Sequence, residues 1–206
     1  MTSVKNFVVN PCAVQDIKGF VEKWHYSSNI NGLRVSQCFS LFRGNQLIGG
    51  MIYGGFGMAN AWKKYANKEE DVVELRRLCC VDDTPKNTES YFIGKSIRWL
   101  IKNTNYKTVV SYADAYYGHD GTIYKASNFK HIGMTSKTKV IHFNGKQYHD
   151  KSIRTYYTDK FGDKRLKPFA QRIKDALNVG EAFYAERPPK HIYLYDLESR
   201  RKPKSH

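Results

Sequence analysis

Ile93, Ile97, Leu100 and Ile101 recur at spacings of four, three and one, which places them on one face of a helix over residues 88–103. Asn87 or Thr88 caps it. Apolar runs stand on either side of this helix. VVELRRLCCV at 72–81 reads as a central strand and VVSY at 109–112 as a buried one. Helical and strand patterns alternate in this way through much of the chain, and that alternation dictates the fold class.

Upstream, a short strand is expected near 5–9. Asn10-Pro11 then reads as a cap followed by proline at the first helical position, with Val14, Ile17, Val21 and Trp24 on one face of a helix over 11–24. VSQCFSLF at 35–42 alternates, Arg43-Gly44-Asn45 supplies a turn, and 47–53 resumes as a glycine-rich apolar strand, so the pair forms a hairpin. Residues 59–68 read as a polar helical insertion, 121–127 as a short helix, and 140–143 as a strand in a hairpin from 138 to about 156. The order β-α-β-β-β-α-β-α-β predicts an α/β (α+β) fold with a mixed central sheet and helices on both faces. One domain over 1–198 is expected, strongly basic from about 159 and extended at HIYLYDL, 191–197. The basic tail 199–206 is expected to be disordered.

The chain of 206 residues carries 34 Lys and Arg against 19 Asp and Glu, a formal charge of +15. A polyanion is the expected partner. With no long apolar run and no signal-peptide pattern, neither a membrane nor export is expected. Cys12, Cys38, Cys79 and Cys80 lack CxxC spacing, so buried thiols in a reducing cytosol are expected rather than disulfides or a zinc ribbon. Adjacent Cys79 and Cys80 would face opposite sides of a strand.

Asp114 closes the strand ending in SYAD, and ligands of open α/β sheets gather outside the carboxyl ends of strands. It has two readings: holding an exocyclic amine, or capping the helix that begins near Gly121. Glu74 and Arg77 lie in the central strand, where charges are costly unless paired. They form a buried ion pair, or Arg77 faces the cleft and clamps a phosphate or carboxylate; a β-bulge would reorient either. His25 and Tyr26 precede a turn-rich loop and can be structural, acid–base groups or metal ligands. No HxxxH, HxE or facial-triad spacing accompanies them. Tyr116, Tyr117, His119 and Tyr124, with Lys125 alongside, suit stacking on nucleobases, or pack as ordinary aromatics.

The ordered series WHYS (24–27), ELRRL (74–78), NTES (87–90), SYAD (111–114) and GHDGTIYKASNF (118–129) resembles the phage Mom family over roughly residues 20–135, with a fainter echo in KHIYLYDL (190–197). That resemblance implies a GNAT-like acyltransferase that converts adenine in phage DNA to N6-carbamoylmethyladenine and shields it from host restriction. It implies an active site containing His25, Tyr26, Arg77, Ser90 and Asp114, working in the cytoplasm of the infected bacterial host. Asp114 would orient the amine or act as base, Arg77 would clamp the donor, and Tyr26 would relay a proton or contact substrate. The family is linked to acyl-CoA and to iron, yet DDTPKNTES (82–90) lacks the glycine-rich pyrophosphate loop of a GNAT enzyme. The helix start at Asn87, Thr88 and Ser90 still offers amides to an anionic donor, either acyl-CoA or a glycyl group carried on tRNA. The expected partner is DNA, duplex or locally single-stranded; the amine is paired inside a duplex, so the enzyme must flip adenine or act on single strands. Two other classes remain open: an acyltransferase acting on a protein, tRNA-linked or small-molecule amine, and a non-catalytic basic DNA-binding module.

Overall fold

The computed structural model describes residues 3–27 and 29–201. Its strands are β1 (Val8–Cys12), β2 (Val35–Arg43), β3 (Gln46–Gly54), β4 (Val72–Cys80), β5 (Thr108–Ala113), β6 (Lys130–Met134), β7 (Thr138–Phe143), β8 (Lys146–His149), β9 (Tyr156–Thr158), β10 (Lys164–Leu166), β11 (Phe183–Arg187) and β12 (His191–Asp196). Its α-helices are α1 (Val14–Trp24), α2 (Thr88–Asn103), α3 (Thr122–Ala126), α4 (Pro168–Asn178) and α5 (Glu198–Arg201). They divide into two compact units: residues 1–113, 119–133 and 191–206 in the first, and 114–118 with 134–190 in the second.

The first unit is built on a seven-stranded sheet in the order β1-β2-β3-β4-β5-β12-β6. Helices cover both faces, as the alternation of patterns predicts. Phe39, Leu41, Met51 and Tyr53 point to the side of α2, where Phe92, Ile93, Ile97 and Leu100 complete the main core. Cys38 and Ile52 point to the other face, against Ile17 and Val21 of α1. Cys79 joins this second cluster while Cys80 packs on the first, so the two neighbours do face opposite sides. All four cysteines are free thiols, and burial pushes Cys38 and Cys79 up to about 12, which leaves them unreactive.

Two features of β4 set the geometry of the centre. Its pairing with β3 slips between Ile52↔Arg77 and Tyr53↔Leu75, so Arg76 is an extra, bulged residue. Val73 and Leu75 point to the α2 side. Beyond the bulge Leu78 and Cys80 take that side, and Arg77 falls in line with Cys79 on the α1 side. The second feature is the parallel ladder with β5, which runs only from Val72↔Thr108 to Leu75↔Ser111. β4 continues to Cys80 without it.

In the second unit β11, β7 and β8 form an antiparallel sheet, and β9 pairs with β10. Ile141 is sealed on one face by Ile173 and Ala176 of α4 and by Ala182. Pro168 begins α4, where a missing N–H costs nothing.

Several expectations need correction. Asn10 and Pro11 belong to β1, an edge strand that tolerates proline, and α1 starts at Val14 with the Asp16 carboxylate accepting from the Ala13 N–H at 2.9 Å. Residues 59–68 contain only one 3-10 turn, Ala61–Lys64. The basic stretch after 159 holds α4 and β11, and the strand at 191–196 lies inside the main sheet, between β5 and β6. Ser199–Arg201 were expected in a disordered tail, but they lie in α5. The Arg201 guanidinium donates to the carbonyls of Leu100, Ile101, Thr104 and Tyr106 at and just beyond the end of α2. Residues 202–206 lie outside the described residues, as does Ser28 of the loop after Tyr26. Among the described residues no helix is long and apolar enough to cross a membrane.

Candidate functional site

In the first unit the site grows from the bulge on β4. Because Arg77 is turned to the α1 side, its guanidinium reaches the segment that follows α1. Nη2 donates to Ser27 Oγ at 3.1 Å and to the Asn29 carbonyl at 3.4 Å, and Nη1 donates to the Arg76 carbonyl at 2.9 Å. Its Nε is buried without a hydrogen-bond partner, and burial lowers the pKa of the guanidinium, with the neighbouring Arg76 charge adding to it. Of the two readings of Glu74 and Arg77, neither is simply met: Glu74 pairs with the bulged Arg76 at 2.9 Å, and its charge also acts on Arg77.

The segment that Arg77 holds carries His25 and Tyr26. His25 Nδ1 accepts the Ser27 N–H at 3.0 Å, so its proton resides on Nε2. Burial, with the Arg77 charge behind it, lowers its pKa to about 4. His25 is therefore a neutral donor at neutral pH, and its basic nitrogen is already engaged. The Tyr26 ring lies 4.2 Å from the His25 ring and 5.5 Å from that of His119, and Tyr26 is 46% exposed. His119 is set by the turn behind it. Gly121, at φ +77°, lies so close to Tyr193 that a Cβ would fall 2.1 Å from the ring, and Tyr193 Oη donates to the Asp120 carbonyl at 2.6 Å. His25, Tyr26, Arg77 and His119 are thus brought together.

Other sequence candidates in this unit lie elsewhere. Tyr124, expected to meet nucleic acid, is a core residue packed on Phe129 and Tyr193, because its helix α3 turns that ring inward. Lys125 is exposed on the same short helix. At the start of α2, Asn87 adopts φ +70°, the conformation glycine would supply, and its side chain makes no cap bond. The hydroxyls offered to an anionic donor are turned back: Thr88 Oγ1 donates to the Pro85 carbonyl at 2.7 Å and Ser90 Oγ to the Asn87 carbonyl at 3.1 Å.

In the second unit Asp114 caps a 3-10 turn, Ala115–Tyr117, through the Tyr116 N–H at 3.2 Å, rather than the helix near Gly121. It is 1% exposed, and Oδ2 meets Arg187 at 3.0 Å and Lys190 at 2.8 Å. Arg187 also lies over the rings of Tyr116 and Tyr117, at 4.7 and 5.2 Å. Neither partner was legible in the sequence, since Arg187 is 73 residues away and sits among many surface cations. Among the described residues no group of three or more His, Cys, Asp and Glu side chains converges to hold a metal. With His25 Nδ1 occupied as well, these residues do not fit an iron centre.

The first unit's sheet, a mixed one with a short parallel pair at its centre, has solved counterparts. An N-acetyltransferase from Staphylococcus aureus Mu50 shares 13% identity at a TM-score of 0.50, covering 94% of this chain and 99% of that one. NAA60 of Arabidopsis thaliana, solved with acetyl-CoA, gives 10% and 0.52, with 92% and 98% covered. AAC(6')-Ib, solved with ribostamycin and coenzyme A, gives 8% and 0.53, with 97% and 98% covered. At these identities the likeness is one of fold, that of the GNAT acetyltransferases. In sequence, the methylcarbamoylase Mom of Escherichia phage Mu is 32% identical over 115 residues, 53% of this chain and 46% of that protein. The match therefore spans about half the length of this curated relative. The sequence model of the Mom protein family matches residues 6–206, and the chain belongs to that family.

Proposed function

We propose that this protein transfers a small acyl-derived group, of the carbamoylmethyl or glycinamide type, to the N6 amine of adenine in phage DNA, and so protects that DNA from host restriction. The observation that carries the reading is the family match over nearly the whole chain, joined to an acetyltransferase fold. Charge supports the acceptor: +15 suits a polyanion better than a small or protein-borne amine.

The donor is an acyl-CoA by first choice, because neighbours of the fold are solved with acetyl-CoA or CoA. The end of the β4–β5 ladder at Leu75↔Ser111 fits the arm of such a donor, leaving strand edges between which it can lie. The turn before α2 fits its pyrophosphate poorly: Thr88 and Ser90 spend their hydroxyls internally, and Asp82, Asp83 and Glu89 add carboxylates. An aminoacyl group on tRNA is the second choice.

In the transfer N6 bonds to the donor's carbonyl carbon while that carbon's bond to its carrier, a thioester C–S or an aminoacyl ester C–O, breaks, and the proton lost from N6 goes to the departing carrier. Tyr26, exposed and flanked by two imidazoles, is the group that contacts the base and relays that proton. His25 presents its Nε2–H as a donor. Arg77 acts as a positioning residue that fixes Ser27 and Asn29, since its terminal nitrogens are already used within the chain. Asp114, 1% exposed and paired with Arg187 and Lys190, acts as a positioning residue for the Tyr116–Tyr117 turn of its own unit. The reaction takes place in the cytoplasm of the infected host.

Mass spectrometry of nucleosides from DNA of cells expressing the protein tests the reading. A new adenosine species is expected. A glycyl amide and a carbamoylmethyl amine on N6 are isomers, so fragmentation must follow the mass. Absence of any modified adenosine, with an acylated protein or small amine instead, would transfer the activity to another acceptor. No product of either kind would leave a non-catalytic DNA-binding module.

A further inference from the structure

Residues paired directly across an antiparallel ladder share a face of the sheet. In the second unit Ile141 faces α4, so Val140 and His142 face the opposite way. On that other face the register sets Arg187 beside Thr138, Ala185 beside Val140 and His149, and Phe183 beside His142 and Gln147. The Tyr116–Tyr117 turn lies against this face at two points: Arg187 covers both tyrosine rings, and Gln147 Nε2 donates to Tyr116 Oη at 2.6 Å. The turn does not reach the end of the face at β11. There Phe183 is 60% exposed and stacks on His142 with ring centres 5.1 Å apart and planes within 5°.

A large aromatic ring held flat on its inner side and open on its outer side is costly to leave in water unless something covers it. Tyr116, 45% exposed, offers a second ring at this face. Gln147, in register with His142, keeps its side-chain carbonyl as an acceptor because its amide nitrogen is already committed to Tyr116. The unit around this face holds 13 Lys and Arg against seven Asp and Glu. Flat rings and an amide on one sheet face of a unit with net positive charge match the chemistry of nucleobases on a phosphate backbone. Bases in a duplex are covered by their own stack, so only an unpaired strand presents faces to these rings.

We infer that the face of the β11-β7-β8 sheet bearing Phe183, His142, Gln147 and Tyr116 is a stacking platform for single-stranded DNA. The inference rests on DNA as the acceptor and deepens it. An enzyme that modifies N6 must have adenine out of the helix, and a platform that holds an unpaired strand favours that state.

The test is fluorescence anisotropy of a labelled oligothymidylate and of a matched duplex with the full chain, at fixed salt and without any acyl donor. Phe183→Ala removes an exposed ring, so melting should be unchanged, while single-strand affinity falls about tenfold and duplex affinity holds. Phe183→Trp keeps the flat face and should restore binding. Single-strand affinity unchanged in Phe183→Ala, an equal loss on duplex, or no binding of the oligothymidylate by the wild type would each overturn the platform. Because no transfer is measured, the two readings fail separately. Modified adenosine in cells with Phe183→Ala binding normally removes the platform alone; Phe183-dependent binding without modified adenosine removes the transferase alone.

Discussion

Arg77 and Asp114 are both buried charges singled out by sequence, and the two units treat them in opposite ways. Arg77 is answered by oxygens of neutral groups, a hydroxyl and two carbonyls, with its Nε left unpaired. Asp114 is answered by two cations and an amide N–H. The difference teaches which charge is structural. Removing one partner of a buried ion cluster strands the others, whereas removing a cation held by neutral oxygens relieves a desolvation cost as it loses its bonds.

The largest effect should come from Asp114→Asn. It leaves Arg187 and Lys190 without a counter-charge and should cost about 3 kcal/mol of stability, read by chemical denaturation. Modified adenosine should fall about tenfold at matched folded protein, as the Tyr116–Tyr117 turn loses its anchor. Lys190→Met in the same chain should recover part of the stability and none of the activity. If Asp114→Asn melts like wild type, the cluster is not the anchor its geometry implies.

Acid should weaken the first unit through His25. Its pKa is about 4 in the folded chain against 6.5 ordinarily, so between those values the unfolded chain binds the extra proton. The associated stability is fully present above pH 6.5 and is lost as pH falls through about 4, to a total of about 3 kcal/mol. His25→Asn, which can still accept the Ser27 N–H, should flatten that part of the stability profile. An unchanged acid limb would place the sensitivity elsewhere.

Arg77→Met sharpens the contrast with Asp114. Stability should change by less than about 1 kcal/mol, since lost hydrogen bonds and relieved desolvation offset each other. Activity should drop about tenfold as Ser27 and Asn29 lose their anchor and Tyr26 its position. A loss of stability as large as that of Asp114→Asn would erase the distinction between the two charges.

Arg201 is a third guanidinium, answered only by carbonyls. Arg201→Ala should cost about 1 kcal/mol, because it uncovers the C-terminal end of α2. Deleting residues 202–206 should spare the melting temperature and weaken DNA binding slightly, with a shallower salt dependence. Equal melting of both variants would deny Arg201 its docking role.

Short-range periodicity made much of this protein legible from sequence. The spacing of Ile93, Ile97 and Leu100 gives α2 its buried face, the alternation in 35–42 gives β2 its two sides, and both depend only on neighbours a few residues apart. Alternation also separated Cys79 from Cys80. It failed at Arg77, because one bulged residue at Arg76 turns everything after it to the other face, and no local signal marks a bulge. It failed again in the basic segment, where charge obscured the apolar stripe Ala170, Ile173 and Ala176 of α4. The residues WHYS and SYAD pointed to His25, Tyr26 and Asp114, but what each touches was decided in three dimensions. A carboxylate paired with cations 73 residues or more away along the chain, and a phenylalanine left open on a sheet face, depend on which strands pair and in what register. Register is a property of the assembled sheet, set by long-range packing that no window of sequence contains.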